Sequence, residues 1–215
     1  GQRRSVFVAH PGRIMSVAFT GDGRGVWTGG ADGVLRLWEV EPDADVRSVR
    51  IAGEVFHAVA FSPDGRFVLA AGGLGRLHRL TLDGLAAETI TFENTAEIPC
   101  VAIAPDGQRV AAGTYGQAVY VWKSLADNGA PVRLEQPGLV SYVCWSPDGT
   151  RLAAACDDRV VRVWRTTDWA LERELREPRD RVPQVVFDPT GTHLAAAVRS
   201  GALLVWDLAT GACET

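Results

Sequence analysis

Methionine occurs once in this 215-residue chain, and histidine and cysteine four times each. Cys100, Cys144, Cys156 and Cys213 form no C-x-x-C pair and have no histidine at metal-ligand spacing, which removes the usual zinc and dithiol motifs. No metal and no cofactor is expected. Three of the four cysteines lie inside apolar strand patterns, so they read as small core residues of a protein kept in a reducing compartment, the cytoplasm. No apolar run approaches the roughly 20 residues that a membrane-crossing helix needs. The opening "GQRRSVFVAH" has no apolar stretch of leader length, and Gly1 in place of Met reads as the start of a processed or excised chain. A basic excess is missing too: a formal net charge of −4 argues against a nucleic-acid surface. What is present is an ordinary globular balance, 47% hydrophobic and 22% charged residues, in a chain long enough to form a sizeable core.

That core is written as a repeat. A step of 42 residues from Gly21 reaches Pro63, Pro105, Pro147 and Pro189, each followed by a polar residue and a glycine. The same step joins Val17 to Val59, Val101, Val143 and Val185, and joins Trp38 to Leu80, Trp122, Trp164 and Trp206. Five units result, at approximately 9–50, 51–92, 93–134, 135–176 and 177–215.

Within each unit the hydrophobic period is near two. The segments Ile14–Thr20, Phe56–Ser62, Ile98–Ala104, Val140–Ser146 and Val182–Asp188 each predict a short strand apolar on both faces. Pro-Asp-Gly then sets a turn, because proline presets φ, aspartate caps locally and glycine accepts positive φ. A second strand, a tight polar turn, a third strand such as Val160–Trp164, and a more polar fourth segment ("VRSVRI", "AAETITF", "PVRLE", "LERELR") complete the unit. Four antiparallel strands graded from apolar to polar are what a β-propeller blade requires, so the predicted class is all-β, a propeller with five blades in this chain.

The stretches "GGADGVLRLW" (Gly29–Trp38), "ACDDRVVRVW" (Ala155–Trp164) and "RSGALLVWD" (Arg199–Asp207) resemble the third-strand signature of the WD-repeat family, and Ala9-His10 stands where that family has Gly-His. The resemblance spans all five units. It implies a blade-stabilising set, complete only in unit one as His10, Thr28, Asp32 and Trp38; His10 is therefore expected to be structural. Unit two has Ala52, Ala70, Leu74 and Leu80 at those places, and packing is expected to replace the polar set there. Family members usually have seven blades. With five, the ring is expected to close through residues 3–8, which stand where the outer strand of the last blade would lie. The alternatives are an engineered or excised propeller fragment with no specific partner, and a self-assembling part of a larger ring. In solution the chain is thus a monomer or a self-associated ring.

Catalysis is not expected. The innermost strands carry one histidine, His57, and one carboxylate, Asp188, so neither paired carboxylates nor a nucleophile with its base can be assembled. "GDGRG" and "GGLG" are not followed by a helix that could hold phosphate. Binding on connecting loops remains. The resemblance implies a face formed by the outer-to-inner and second-to-third connections, with Arg13, Met15, His57, Glu97, Tyr115, Asp157, Arg181 and Arg199 as its candidate residues. The expected partner is a protein or peptide, with an acidic or phosphorylated segment meeting Arg13, Arg181 and Arg199 on one arc; no nucleic acid and no membrane is expected. Arg79, in a slot held elsewhere by Leu37, Val121, Val163 and Val205, predicts a local strand irregularity.

Overall fold

The computed structural model describes residues 10–39, 46–82, 85–93, 95–125 and 129–214. These form strands and turns without a helix. Blade 1 comprises β1 (Ile14–Phe19), β2 (Gly25–Gly30), β3 (Val34–Glu39) and β4 (Arg47–Arg50). Blade 2 comprises β5 (Phe56–Phe61), β6 (Phe67–Gly72), β7 (Leu77–Thr81) and β8 (Ala87–Ile90). Blade 3 is built from β9 (Cys100–Ile103), β10 (Val110–Thr114), β11 (Ala118–Trp122) and β12 (Val132–Glu135). Blade 4 has β13 (Val140–Trp145), β14 (Arg151–Cys156), β15 (Val161–Arg165) and β16 (Leu171–Leu175), and blade 5 has β17 (Gln184–Phe187), β18 (His193–Ala197), β19 (Leu203–Asp207) and β20 (Cys213–Glu214). Each sheet is a four-stranded antiparallel meander in chain order.

The turn chemistry repeats with the strands. Gly23, Gly65, Gly107, Gly149 and Gly191, 42 residues apart, all sit at φ between 68° and 74°. A side-chain carboxylate accepts backbone N–H groups just beyond, Asp22 from Arg24, Asp64 from Arg66, Asp106 from Gln108 and Asp148 from Thr150. In blade 5 Thr190 holds the place of that aspartate, and the carboxylate comes from two residues earlier, Asp188, which accepts from Thr190 and His193.

Four clusters of buried side chains hold the blades together, one at each boundary between successive blades. At the boundary of blades 4 and 5, Ala153, Val161 and Val163 meet Val185, Phe187, Leu194 and Trp206. The second strands of blades 1 to 4 are buried along most or all of their length, β6 and β10 throughout. Their alanines at 70–71, 111–112 and 153–155 are all fully covered, as small side chains on the middle strand let neighbouring sheets approach.

Among the described residues two flanks are left over. The face of β1 away from blade 2 exposes Val17 by 61% and Phe19 by 67%, and the face of blade 5 away from blade 4 exposes Val186 by 54% and Leu203 by 61%. The outer position of blade 5 is taken, opposite Val205 and Trp206, by Glu214 and Cys213. The strand expected there from residues 3–8 lies outside the described residues.

Strand boundaries follow the expectations closely except in blades 3 and 5, whose first strands start two residues late, at Cys100 and Gln184. Pro99 and Pro183 immediately precede them and have no N–H for a ladder bond. In blades 1, 2 and 4 the same position holds Met15, His57 and Ser141, and there the register shifts by one residue. The irregularity expected at Arg79 is not found. β7 pairs without a shift through Arg79, whose guanidinium lies 4.7 Å over the ring of Phe67.

Candidate binding face

The polar set predicted for unit one is assembled in full. Trp38 Nε1 donates to Thr28 Oγ1 at 3.0 Å, and the two ring nitrogens of His10 lie 2.8 Å from Thr28 Oγ1 and from Asp32 Oδ1. One tautomer satisfies these three bonds, with Thr28 donating to Nε2 and Nδ1–H donating to the carboxylate, while Arg36 Nη1, 2.5 Å from the same Nδ1, donates to Asp32 Oδ2 at 2.9 Å. A Cβ on Gly30 would come within 2.2 Å of Nδ1 and 2.4 Å of Asp32, so this network requires glycine at that place. Burial raises the pKa of Asp32, but hydrogen bonds from His10 and Arg36 outweigh it and hold the carboxyl below its usual range.

Unit two does not rely on packing alone, contrary to the expectation. His78, 1% exposed, joins Glu54 through Nε2 at 3.1 Å and Thr89 through Nδ1 at 3.1 Å, while Glu54 Oε1 accepts the N–H of Leu74. His78 occupies the position of Arg36, one step of 42 later. The same position carries Tyr120, whose hydroxyl donates to the Glu93 carbonyl, and Arg162, which reaches Asp158 at 2.6 Å and Glu174 at 3.1 Å. The third strand thus carries a second polar anchor two residues before its tryptophan position in four of the five blades. The Arg-x-Trp spacing of Arg36-Leu37-Trp38 and Arg162-Val163-Trp164 was the available signal. In blade 5, where Leu204 stands there, Trp206 Nε1 instead donates to Glu177 at 2.8 Å.

The candidate binding residues are set by one repeated backbone bond between the segment before the first strand and the turn after the second. Ala31 N–H donates to the Arg13 carbonyl, Gly73 to Val55, Tyr115 to Glu97, Asp157 to Leu139 and Arg199 to Arg181, at 2.8 to 3.0 Å. These five pairs bring the predicted residues to one end of the blades. The register shift beside Met15 and His57 turns those two side chains out of the regular alternation. His57 Nε2 then lies 3.5 Å from Glu97 across the boundary of blades 2 and 3, and Arg181 lies 3.0 Å from Asp157 across that of blades 4 and 5. Between these ion pairs stands Tyr115, 43% exposed. Burial raises its phenol pKa first, and the carboxylates of Glu97 and Asp157 raise it further.

His57, Glu97, Tyr115, Asp157 and Arg181 therefore form one line. Arg13 and Arg199 are exposed and have no carboxylate partner among the described residues. Arg199 is tied to Arg181 through the backbone, whereas no hydrogen bond joins Arg13 to either among the described residues. The expected arc of three arginines is thus an Arg181–Arg199 pair on blade 5 with Arg13 on blade 1.

Elsewhere, a groove of about 550 Å³ between blades 1 and 2 is lined by Asp22, Arg24, Glu39, Arg47 and Asp64 among others, and one of about 500 Å³ by Phe92, Tyr120, Trp122 and Arg133 among others. Neither contains a candidate residue. The thiols of Cys100 and Cys144 are pushed up to about 12 by burial, so they are packing groups rather than nucleophiles. Among the described residues no group of three or more His, Cys, Asp or Glu side chains is placed to hold a metal ion.

Comparison with known proteins adds four findings. The family described as "WD domain, G-beta repeat" matches residues 1–39, 88–123 and 133–165. The chain is 30% identical over 127 residues to the small ribosomal subunit protein RACK1 of Candida albicans, a match covering 55% of this chain and 39% of that protein. It is 27% identical over 128 residues to RACK1 of Schizosaccharomyces pombe, covering 56% and 40%, and 28% identical over 142 residues to WD repeat-containing protein 1 of Bos taurus, covering 62% and 23%. The chain thus spans two fifths or less of the length of these curated relatives.

Proposed function

Because this chain belongs to the WD-repeat family, we propose that it is a non-catalytic platform that holds a protein or peptide segment across the face bearing Arg13, Met15, His57, Glu97, Tyr115, Asp157, Arg181 and Arg199. The observation that carries this reading is the line from His57 to Arg181, in which charges of both signs and one aromatic ring cross three blade boundaries. A rigid row of that kind recognises an extended segment by complementary charge and by stacking on Tyr115. Two relatives carry the name of a ribosomal subunit protein; by analogy this chain works in the cytoplasm as one part of a larger assembly.

The segment is acidic or phosphorylated. Arg199 and Arg13 lack carboxylate partners among the described residues, and guanidinium groups in that state bind carboxylate or phosphate oxygens through paired donors. Asp157 competes for Arg181, so an incoming anion must displace it. Panels of immobilised phosphoserine-rich, glutamate-rich, lysine-rich and neutral peptides test the assignment. The chain should retain the first two. Replacing Arg13, Arg181 and Arg199 together by Glu should abolish capture, whereas Asp157→Asn should strengthen it by releasing Arg181. Unchanged capture by the triple variant, with far-UV circular dichroism intact, discards the assignment.

A further inference from the structure

Five blades make four boundaries, and the two remaining flanks are apolar. On blade 1, strand register places Phe19, Val26 and Trp38 in one row across β1, β2 and β3, with Val17 in the next row. On blade 5, Val186, Ala195 and Val205 share one row, and Leu203 lies in the next, opposite Ala197.

Each flank has an internal twin. Advancing Val17, Phe19, Val26 and Trp38 by four repeats gives Val185, Phe187, Leu194 and Trp206, the surface that blade 5 turns toward blade 4. There the same positions are covered: Val185 is 1% and Phe187 7% exposed, against 61% and 67% for Val17 and Phe19. Moving Val186, Ala195, Leu203 and Val205 back by one repeat gives Cys144, Ala153, Val161 and Val163, the surface with which blade 4 answers. The two free flanks are thus the two halves of one interface, and that interface already exists between blades 4 and 5.

We propose that these flanks dock a second copy of this chain head to tail, the Val186–Leu203 flank of one copy seating on the Val17–Phe19 flank of the next. The contact continues an interface the chain already makes, with medium-sized aliphatic side chains meeting aromatic and branched ones in the same register. Like-to-like pairing of two Phe19 flanks has no counterpart among the four boundaries. Contiguous apolar surface of this kind marks an association site on a soluble protein. Because the contact is heterologous, each copy keeps one flank of each kind, and addition continues until the last flank meets the first. This surface is separate from the binding face, so the inference stands independently of the proposed function.

The test uses the 215-residue chain and two end-blocked variants, V17E/F19E and V186E/L203E, whose new charges fall on exposed positions. By sedimentation velocity and light scattering, the parent chain should rise with concentration to masses at least double its 23.1 kDa. Each variant alone should remain at the monomer mass. Mixed, they should form a one-to-one complex of twice that mass and nothing larger, since each retains the flank the other lacks. A monomeric parent chain at every concentration overturns the proposal; that is the outcome expected if the two flanks of one copy close on each other. A mixture of folded variants that stays monomeric overturns it equally, as does association of either variant alone.

Discussion

Glu54 and His78 offer the sharpest test of the packing, because their side chains are 0% and 1% exposed and lie 3.1 Å apart. Glu54→Leu removes the acceptor of His78 Nε2 and leaves that ring nitrogen buried without a partner, which costs about 1–3 kcal/mol. The Leu74 and Val55 amides lose their acceptor too, but Leu74 is exposed and Val55 only half-buried, so water can replace the carboxylate. His78→Leu strands the buried carboxylate instead, and Thr89, being exposed, recovers through solvent. Each single change should therefore destabilise by about 2–3 kcal/mol, or about 4–12 °C in Tm for a chain of this size. The double variant E54L/H78L removes both polar partners and should lie within about 1 kcal/mol of the parent, since an apolar pair of similar volume leaves no buried side chain unpaired. Thermal and urea unfolding of the four proteins closes the cycle. The expected coupling is about 3 kcal/mol or more; coupling below about 0.5 kcal/mol, the usual limit of additivity, would show that the pair does not act as a unit.

Phe187→Ala should cost about 3–5 kcal/mol through the cavity it opens between blades 4 and 5, whereas Phe19→Ala, at the twin position but 67% exposed, should change stability by less than about 0.5 kcal/mol at concentrations where the chain is monomeric. Equal losses in urea unfolding would mean that the blade 1 flank is covered. Gly107→Ala places a side chain at φ 71° with no heavy atom nearer than 3.9 Å, so the loss of about 1 kcal/mol is conformational alone, and Gly107→Asn should recover part of it. Asp32, its pKa depressed in the fold, contributes stability that is complete above the ordinary carboxylate value near 3.9 and is lost as the pH falls through the lower folded value. The stability gap between the parent and Asp32→Asn should accordingly be constant near neutrality and shrink from about pH 4 downward; a gap that grows on acidification reverses the sign and refutes the assignment.

The blade was legible because its determinants are local and periodic. Pro-Asp-Gly fixes a turn through the backbone of its own residues, and strands apolar on both faces admit few other environments. Pro99 and Pro183 were visible too, yet their effect on β9 and β17 was not drawn, because it depends on which N–H groups the ladder uses. The Glu54–His78–Thr89 network was hidden for a different reason. Its members fall outside the four positions that the family resemblance marks, and Glu54 stands in a connection, where a charged residue gives no sign of being buried. Arg79 misled because periodicity reports that a slot is apolar without reporting what shares it. The ring of Phe67 gives the guanidinium a face to lie on, so the strand stays regular. Of the binding face, the residue positions were readable from the repeat, but the pairing of His57 with Glu97 and of Arg181 with Asp157 arises across blade boundaries that no local pattern encodes.

Those boundaries also determine how the face behaves. Where each repeat touches only its neighbours, stability is close to a sum of unit and boundary contributions. Blades 2, 3 and 4 each rest on two boundaries and blades 1 and 5 on one. The ion pairs at Glu97 and Asp157 span boundaries that are already packed, so the centre of the face is preorganised. Arg13 and Arg199, the two candidate arginines of this face without a carboxylate partner among the described residues, belong to the end blades. Whatever covers the Val17–Phe19 and Val186–Leu203 flanks adds a boundary to those blades and stabilises the conformations in which the two arginines are held. If docking at the flanks orders these two side chains, a ligand that engages them strengthens docking by the same linkage. On the two proposals taken together, recognition of an anionic segment by Arg13 and Arg199 is then coupled to head-to-tail docking of the end blades.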